Sequence, residues 1–598
     1  MSRSGHVSRR ISSGPLRILG FLCLGLAVIM GMLLAGIAVQ GLRLARDVRQ
    51  LRVDVAQAQQ KLRSNAGAGP VQAAAGLHAV ARIQSDTHRM RALTGSTAWR
   101  AGSYLPGLSP SVKSITSLVQ GVDDVALQVA PALASTAVSF SSAKRAGPLD
   151  LRPVTRNRSV LHGAATELDR VVATIRRDNM SNPTVRHAHE EILGRLTGLQ
   201  ALLRPLVILA DVGGPMTGEQ GPRRYLLALQ TPAESRATGG LVGSFLELQV
   251  DHGRVSVVRS GTNRELDERA TRDVTTVDGG FSATWGPYGA QRRWYSSNLS
   301  LDFPSVSAVW AALYERQYAV KLDGLVGVTP EALTSILPHT GPIPLPEGGT
   351  LDGQNAARFL EAGLYAKFPL SADEGRRNAY QLQVLQALVS RLFQSQAATT
   401  GLVRAVGEDV ANGSLRLAST HPQEQAVLAG TAVAGALPAT RAPFIAWSSQ
   451  NIAGNKLDVY VHRALAYQRR AYGDHELVVA RITLRNDAPL RGLPEYVTVR
   501  SDLPAAQRGR TAPGSDRLLV TTYLSAGARI TSATVDGRPV PVRIGSEKGH
   551  PLVIVDLILP PHGGTARVVV TGEEPLQDGP VMTLRQPAAN PDTMEYVR

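Results

Sequence analysis

The sequence predicts a multidomain α+β protein built in a fixed order: an N-terminal transmembrane helix, a helical membrane-proximal region, an α/β domain and a C-terminal β-sandwich. Three observations lead there. One uncharged apolar run lies close to the N-terminus. Helical periodicity then gives way, after about residue 212, to alternating strands and helices, and beyond about residue 455 to short β-rich runs. A chain of 598 residues also exceeds what one hydrophobic core can hold, so several folding units are expected.

The apolar run extends from Ile18 to Val39, ILGFLCLGLAVIMGMLLAGIAV, without a charge. At about 1.5 Å per residue, a helix of this length crosses a hydrocarbon core of roughly 30 Å. A buried core helix and a cleaved signal peptide are the rival readings. Gly36-Ile37-Ala38 has the small residues of a cleavage site, but the run is longer than the usual signal core. Arg3, Arg9, Arg10 and Arg17 precede it, and Arg43, Arg46, Arg49 and Arg52 follow it, so flanking charge is nearly balanced. Orientation then rests on the short acid-free tail and on the ability of long folded segments to translocate regardless of charge. Residues 1–17 are expected in the cytoplasm, 18–39 in the cell membrane as a single pass, and the bulk outside. The sole cysteine, Cys23, falls in this run, which leaves no disulfide within the soluble part.

With 64 basic and 48 acidic residues the formal charge is +16, mostly arginine spread along the chain. Such a field favours anionic partners, among them phospholipid headgroups and phosphate-bearing wall polymers. No phosphate-binding Gly-x-x-x-x-Gly-Lys loop, zinc-finger spacing or basic-aromatic RNA signature is present, so nucleic acid is not an expected partner.

Residues 40–212 are expected to be helical and extracytoplasmic. Leu44, Val48, Leu51, Val55, Ala58 and Leu62 alternate by four and three, a heptad seam open to self-association or to packing against the chain's own helices. Helical periodicity continues over Ser159 to Arg177 and Pro183 to Leu209. His187 and His189 are two apart and point to different helix faces, so no metal site is read from them.

Residues 222–400 read as the α/β domain. Tyr225 to Gln230 is an apolar strand, and Gly243 to Val250 alternates before Asp251-His252-Gly253 turns the chain into Arg254 to Arg259, a hairpin. Helices are expected over Phe303 to Arg316, Pro330 to Leu337, Gly353 to Ala362 and Arg377 to Phe393, with a buried strand at Gly324 to Val328. Residues 401–454 are expected to connect to a β-sandwich over 455–598. Its runs are Lys456 to Val461, Leu477 to Arg485, Tyr496 to Arg500, Leu518 to Tyr523, Leu552 to Leu559 and Arg567 to Thr571, with a hairpin signal at Asp536-Gly537.

Glu234, Arg236, Gly239 and Gly240 stand in a loop between two strands, a usual place for a ligand in an α/β sheet; a Glu-Arg pair bracing a glycine turn is the alternative. Asn298 and Asp302 precede Phe303-Pro304 and could orient a ligand, or Asp302 could cap the helix that follows. Arg377 and Gln381 are four apart, share a helix face and could reach a phosphate or remain an ion-paired face. No Gly-x-Ser-x-Gly elbow occurs, and catalytic residues are not assigned.

The segments TPAESRATGGLVGSFLELQVDHGRV, SSNLSLDFPSVSAVWAALY, LDGLVGVTPEALTSILPHTGPIPL and NKLDVYVHRALAY resemble the domain-of-unknown-function family numbered four-thousand-and-twelve, a group of exported Gram-positive, largely actinobacterial, membrane proteins. A fainter likeness joins LDGLVGVTPEALTSIL, TGPI, TLDGQNAARFL and DEGRRNAYQLQVLQALVSRLF to LytR-CpsA-Psr proteins, whose domain binds a polyprenyl phosphate and transfers glycopolymer to peptidoglycan. That resemblance implies an arginine clamp on a pyrophosphate with its magnesium. Arg377 and Gln381 match its Arg-x-x-Arg-Gln motif, but Tyr380 replaces the second arginine and Glu361 stands where a basic residue is usual. The expected function is therefore a membrane-anchored cell-envelope protein that binds an anionic wall component or a lipid-linked intermediate, mainly without catalysis. The alternative is a glycopolymer phosphotransferase, and only there would magnesium enter.

Overall fold

The structure, a computed structural model, describes residues 70–96, 99–100, 104, 109–143, 151–177, 183–269, 271–275, 277–394, 400–439, 441–508 and 511–597. The apolar run 18–39 and the heptad seam 44–62 lie outside these. The protein is a multidomain α+β chain that divides into two units, the first Met1–Gly221 with Asp251–Arg254 and Gln396–Thr400, the second the remainder.

The first unit is helical: α1 (Pro70–Thr94), α2 (Ser109–Asp124), α3 (Ala130–Ala143), α4 (Arg158–Arg177) and α5 (Pro183–Met216). On α4 the buried residues Leu161, Leu168, Val171, Val172 and Ile175 form one stripe at helical spacing. They meet Leu118 and Val122 of α2 and Ile192, Leu196 and Leu203 of α5 in one core. The segment His189–Met216 is long and apolar enough to cross a membrane by length and composition, and its buried leucines belong to this core. Of the two histidines, His187 is exposed, whereas His189 is buried and its Nε2 donates to the Ile175 carbonyl at 2.6 Å, satisfying a last-turn acceptor of α4.

The second unit begins with β1 (Arg223–Thr231), β2 (Leu241–Asp251) and β3 (Arg254–Thr262), a meander turned by His252 and Gly253 at positive φ. Helix α6 (Phe303–Tyr318) leads to β4 (Gly324–Val328), and α7 (Pro330–Thr340) and α8 (Glu374–Gln394) follow. Segment 401–454, expected as a connection, instead supplies elements to two sheets. After α9 (Thr400–Asn412), β5 (Leu415–Ser419) completes the mixed sheet β3-β2-β1-β4-β5, in which only β1 and β4 are parallel. After α10 (Pro422–Ala429), β6 (Phe444–Asn451) becomes an inner strand of the next layer.

That layer contains β7 (Val461–Tyr472), β8 (His475–Asn486), β9 (Asp516–Tyr523), β10 (Arg529–Val535), β11 (Arg538–Pro539), β12 (Val542–Glu547), β13 (His550–Leu559), β14 (Gly564–Pro575), β15 (Met582–Leu584) and β16 (Thr593–Val597). Two sheets, β11-β10-β14-β8-β7-β16 and β12-β13-β9-β6-β15, enclose Leu465, Tyr467, Val478, Ile482, Val520, Val553, Val555 and Val568. Period-two alternation selects these residues, and each buried apolar side chain contributes about 1.5–3 kcal/mol. The other face of the five-stranded sheet, through Phe444, Tyr523 and Leu552, joins Leu226, Phe245, Trp285, Trp294 and Trp310 in a second core. Mixed sheet and sandwich are thus bound by continuous apolar packing.

Two expected strands are corrected. Tyr496–Arg500 carries a short helix, Glu495–Thr498, and Lys456–Val461 holds a 3-10 turn, Asp458–Tyr460, with β7 starting only at Val461. Both runs are β-branched or alternating, yet each turns polar or aromatic side chains toward the motif loop described below. The expected helix 353–362 is a longer composite: Ala356–Arg358, a π turn at Phe359–Gly363, then Leu364–Lys367.

Candidate functional site

Parallel strands β1 and β4 pair from Tyr225 with Gly324 to Leu229 with Val328. Both therefore end at one edge of the sheet, where ligands gather in open α/β folds. Thr231 to Gly240 follows β1 there, and every one of its residues is buried. The loop is consequently an interior feature, and its polar groups are answered from within the protein.

The Glu234 carboxylate accepts from Arg236 Nη2 at 2.9 Å and from the Lys456 ammonium. Arg236 places Nη1 on the carbonyls of Asn451, at 2.6 Å, and Ser235, at 3.0 Å, and Nε on that of Tyr295, at 3.1 Å. All three charged residues are more than nine-tenths buried. Burial works to raise the Glu234 carboxyl, but Lys456 and then Arg236 hold it below the usual range. Next in sequence, Ser235 gives its N–H to Asp458 Oδ2 at 3.2 Å, and its hydroxyl lies 2.6 Å from Oδ1. Asp458 also receives Asn451 Nδ2 at 2.8 Å and Arg463 Nη2 at 3.0 Å. The Glu-Ser-Arg run thus threads the α/β loop into the β6–β7 connection of the sandwich.

The two glycines answer a close approach. A Cβ on Gly240 would stand 2.1 Å from the Thr231 carbonyl oxygen, and Gly239 has φ 145° with Thr329 2.7 Å from any added Cβ. Asn298 braces the same turn: its Nδ2 donates to Gly240 O at 2.9 Å, Gln230 Oε1 at 3.0 Å and Thr238 Oγ1 at 3.1 Å. Asp302 is the N-cap of α6, its Oδ2 accepting from Ser305 N at 3.1 Å and Ser305 Oγ at 2.6 Å, while Oδ1 accepts from Leu437 N at 2.9 Å. With their oxygens so engaged, neither Glu234 nor Asp302 fits a magnesium ligand.

Arg377 reaches this region from α8. Its Nη1 donates to Phe368 O at 2.6 Å and Leu370 O at 2.7 Å, and the guanidinium lies 3.8 Å from the Tyr496 ring centroid. Nη2 is buried with no hydrogen-bond partner among the described residues. Tyr365 stacks on Tyr496 at 6.0 Å, and burial pushes the Tyr365 phenol up, while Lys456 and Arg377 pull it down. One turn beyond Arg377, Gln381 Oε1 faces Ser244 Oγ at 3.4 Å.

Of the expected residues, Glu234 and Arg377 therefore stand beside Tyr365 and Tyr496, and Arg236 is tied to them through its pair with Glu234. Asn298, Gly239 and Gly240 shape the turn beside them, Asp302 caps its helix, and Gln381 contacts β2. Sequence reasoning missed Lys456, Asp458, Tyr365 and Tyr496. Its available signal was the Lys456-x-Asp458 pair, complementary in charge to Glu234-x-Arg236. A recess of about 320 Å³ lined by Tyr288, Val542, Arg543, Ile554 and Asp556 contains none of these groups.

No curated protein and no solved structure matches the chain. A family model described as "Protein of unknown function (DUF4012)" matches residues 220–365, the stretch that includes β1, the buried loop, α6, β4 and the π turn. That stretch matches the first of the two families that the sequence resembles.

Proposed function

We propose that this protein is a single-pass, membrane-anchored component of the cell envelope, its bulk outside the cytoplasm, that binds an anionic wall component or lipid-linked intermediate without turning it over. One observation carries the reading. Lys456 and Arg377 lie over the Tyr496 ring beside Tyr365, Arg236 and Lys456 share the carboxylate of Glu234, and Arg377 Nη2 has no hydrogen-bond partner among the described residues. Excess buried positive charge is costly unless an anion answers it, and a guanidinium edge is the donor suited to phosphate. Arg236, Glu234 and Lys456 are engaged with one another, and Arg236 with carbonyl groups as well, so none of the three is free to act as a base or metal ligand for group transfer.

The free edge of Arg377 also favours the second reading, a phosphotransferase resembling LytR-CpsA-Psr proteins. That reading requires the buried loop to open before Arg236 could reach a pyrophosphate. The deciding experiment incubates the detergent-purified full chain with a polyprenyl pyrophosphate-linked glycan and magnesium. Lipid retention is followed by mass spectrometry, product release by chromatography, and folding by melting. Retention without product, weakened about tenfold or more in Arg377→Lys at unchanged melting, is expected for loss of a bidentate contact. Product release would overturn the binding-only reading, and absence of any bound anion would overturn both.

A further inference from the structure

Away from the Tyr365 cluster, two carboxyl groups face each other with no base between them. Glu331 stands in the first turn of α7, directly after β4, and Glu361 in the π turn Phe359–Gly363. Glu361 is 5% exposed, and the two side chains are within hydrogen-bonding reach. Both oxygens of Glu331 and Oε1 of Glu361 are buried without a donor among the described residues. The surrounding charges do not relieve them. Asp409, on α9, accepts from Ser335, is itself pushed up to about 7 mainly by burial, and adds like charge to Glu331 only as it ionises; Glu234, on the 3-10 turn touching the π turn, is held by Arg236 and Lys456; Lys367, at the end of the composite helix, pairs with Glu347.

Two carboxylates in such a place, both ionised, would leave three buried acceptors unanswered and two like charges in contact. A single proton removes the like-charge contact and answers two of the three acceptors, because a protonated carboxyl becomes the donor its neighbour lacks. We propose that Glu331 and Glu361 share one proton and form a proton-controlled latch holding the π turn against α7. The π turn also packs on Pro232–Glu234 and leads into Tyr365, so the latch governs how tightly this wall closes on the buried loop. A π turn closes i→i+5 bonds and so holds one residue more than a regular turn, an irregularity that recurs at functional sites.

The sign follows from the shift. Burial first, and Glu331 second, push the Glu361 carboxyl well above its ordinary value of 4.5. The latch is fully closed below that ordinary value and loses hold as pH rises through the raised one. Opening should become about tenfold easier for each pH unit across this window and level off above it.

Hydrogen–deuterium exchange of the detergent-solubilised full chain tests the latch, with peptides covering 356–367 followed from about pH 5 to about pH 8 and corrected for intrinsic exchange. Protection is expected to fall with pH in the native chain. In Glu361→Gln, and independently in Glu331→Gln, the amide supplies a permanent donor, so protection should be pH-independent and at the high level. Faster exchange at high pH in both variants than in the native chain would overturn the proposal. So would protection of the native peptide at high pH by added magnesium or calcium, which would mark a cation site in place of a shared proton.

Discussion

Glu234→Ala removes the one carboxylate that Arg236 and Lys456 share, and its cost can be worked from the structure. Arg236 keeps three carbonyl partners, but Lys456 loses the carboxylate it pairs with while 8% exposed. Breaking a buried ion pair by deleting one member costs about 3–5 kcal/mol, because the remaining charge stays desolvated. With Arg377 and Arg236 adding like charge nearby, the upper half of that range is expected. For a unit larger than about 200 residues this amounts to a melting shift of roughly 5–10 °C. Four of the five tryptophans, Trp285, Trp294, Trp310 and Trp447, lie in the second unit, so intrinsic fluorescence reports its unfolding. Adding Lys456→Met to Glu234→Ala removes the stranded ammonium and should recover half or more of the loss, a coupling of about 2 kcal/mol in the double-mutant cycle. A loss below about 1 kcal/mol for Glu234→Ala, or strict additivity with Lys456→Met, would refute the idea that this pair braces the joint.

Two further outcomes follow from the same geometry. Gly240→Ala places a methyl 2.1 Å from the Thr231 carbonyl oxygen and should abolish soluble folding of the second unit or lower its melting temperature by more than an exposed glycine substitution such as Gly279→Ala, where nothing lies within 4 Å. Glu547, which accepts from Tyr523 and Ser300, is raised to about 7 mainly by burial. The folded state then binds its proton more tightly than the unfolded chain, so stability is greatest below the ordinary glutamate value and declines as pH rises toward about 7; urea titrations of Glu547→Gln should show that part of the slope removed.

Much of the second unit was legible because local pattern and tertiary role agree there. The β2–β3 hairpin was visible in its alternation and in Asp251-His252-Gly253, and β4 in its short apolar run. Asp302 at its cap was visible as one of two readings. Where the pattern misled, a side chain had been drawn to a distant partner. Tyr496 sits on a short helix that stacks it over Arg377, and the Lys456–Asp458 segment turns inward to Glu234 and Ser235. β5 and β6 lay unseen in 401–454 because strand pairing is a property of the sheet they join, not of five or eight residues alone.

The sequence by itself determined the chemical types available: an uncharged span at 18–39, a basic chain with one cysteine, and a Glu-Ser-Arg loop ending in two glycines. Only the tertiary structure decided what that loop is for. Residues 222 apart in sequence, Glu234 and Lys456, meet in the interior, and burial converts an apparent ligand loop into a joint between sheet and sandwich. The same burial leaves one guanidinium edge and one carboxyl pair unanswered, because in a low-dielectric interior the worth of each polar group depends on the partner that folding brings to it.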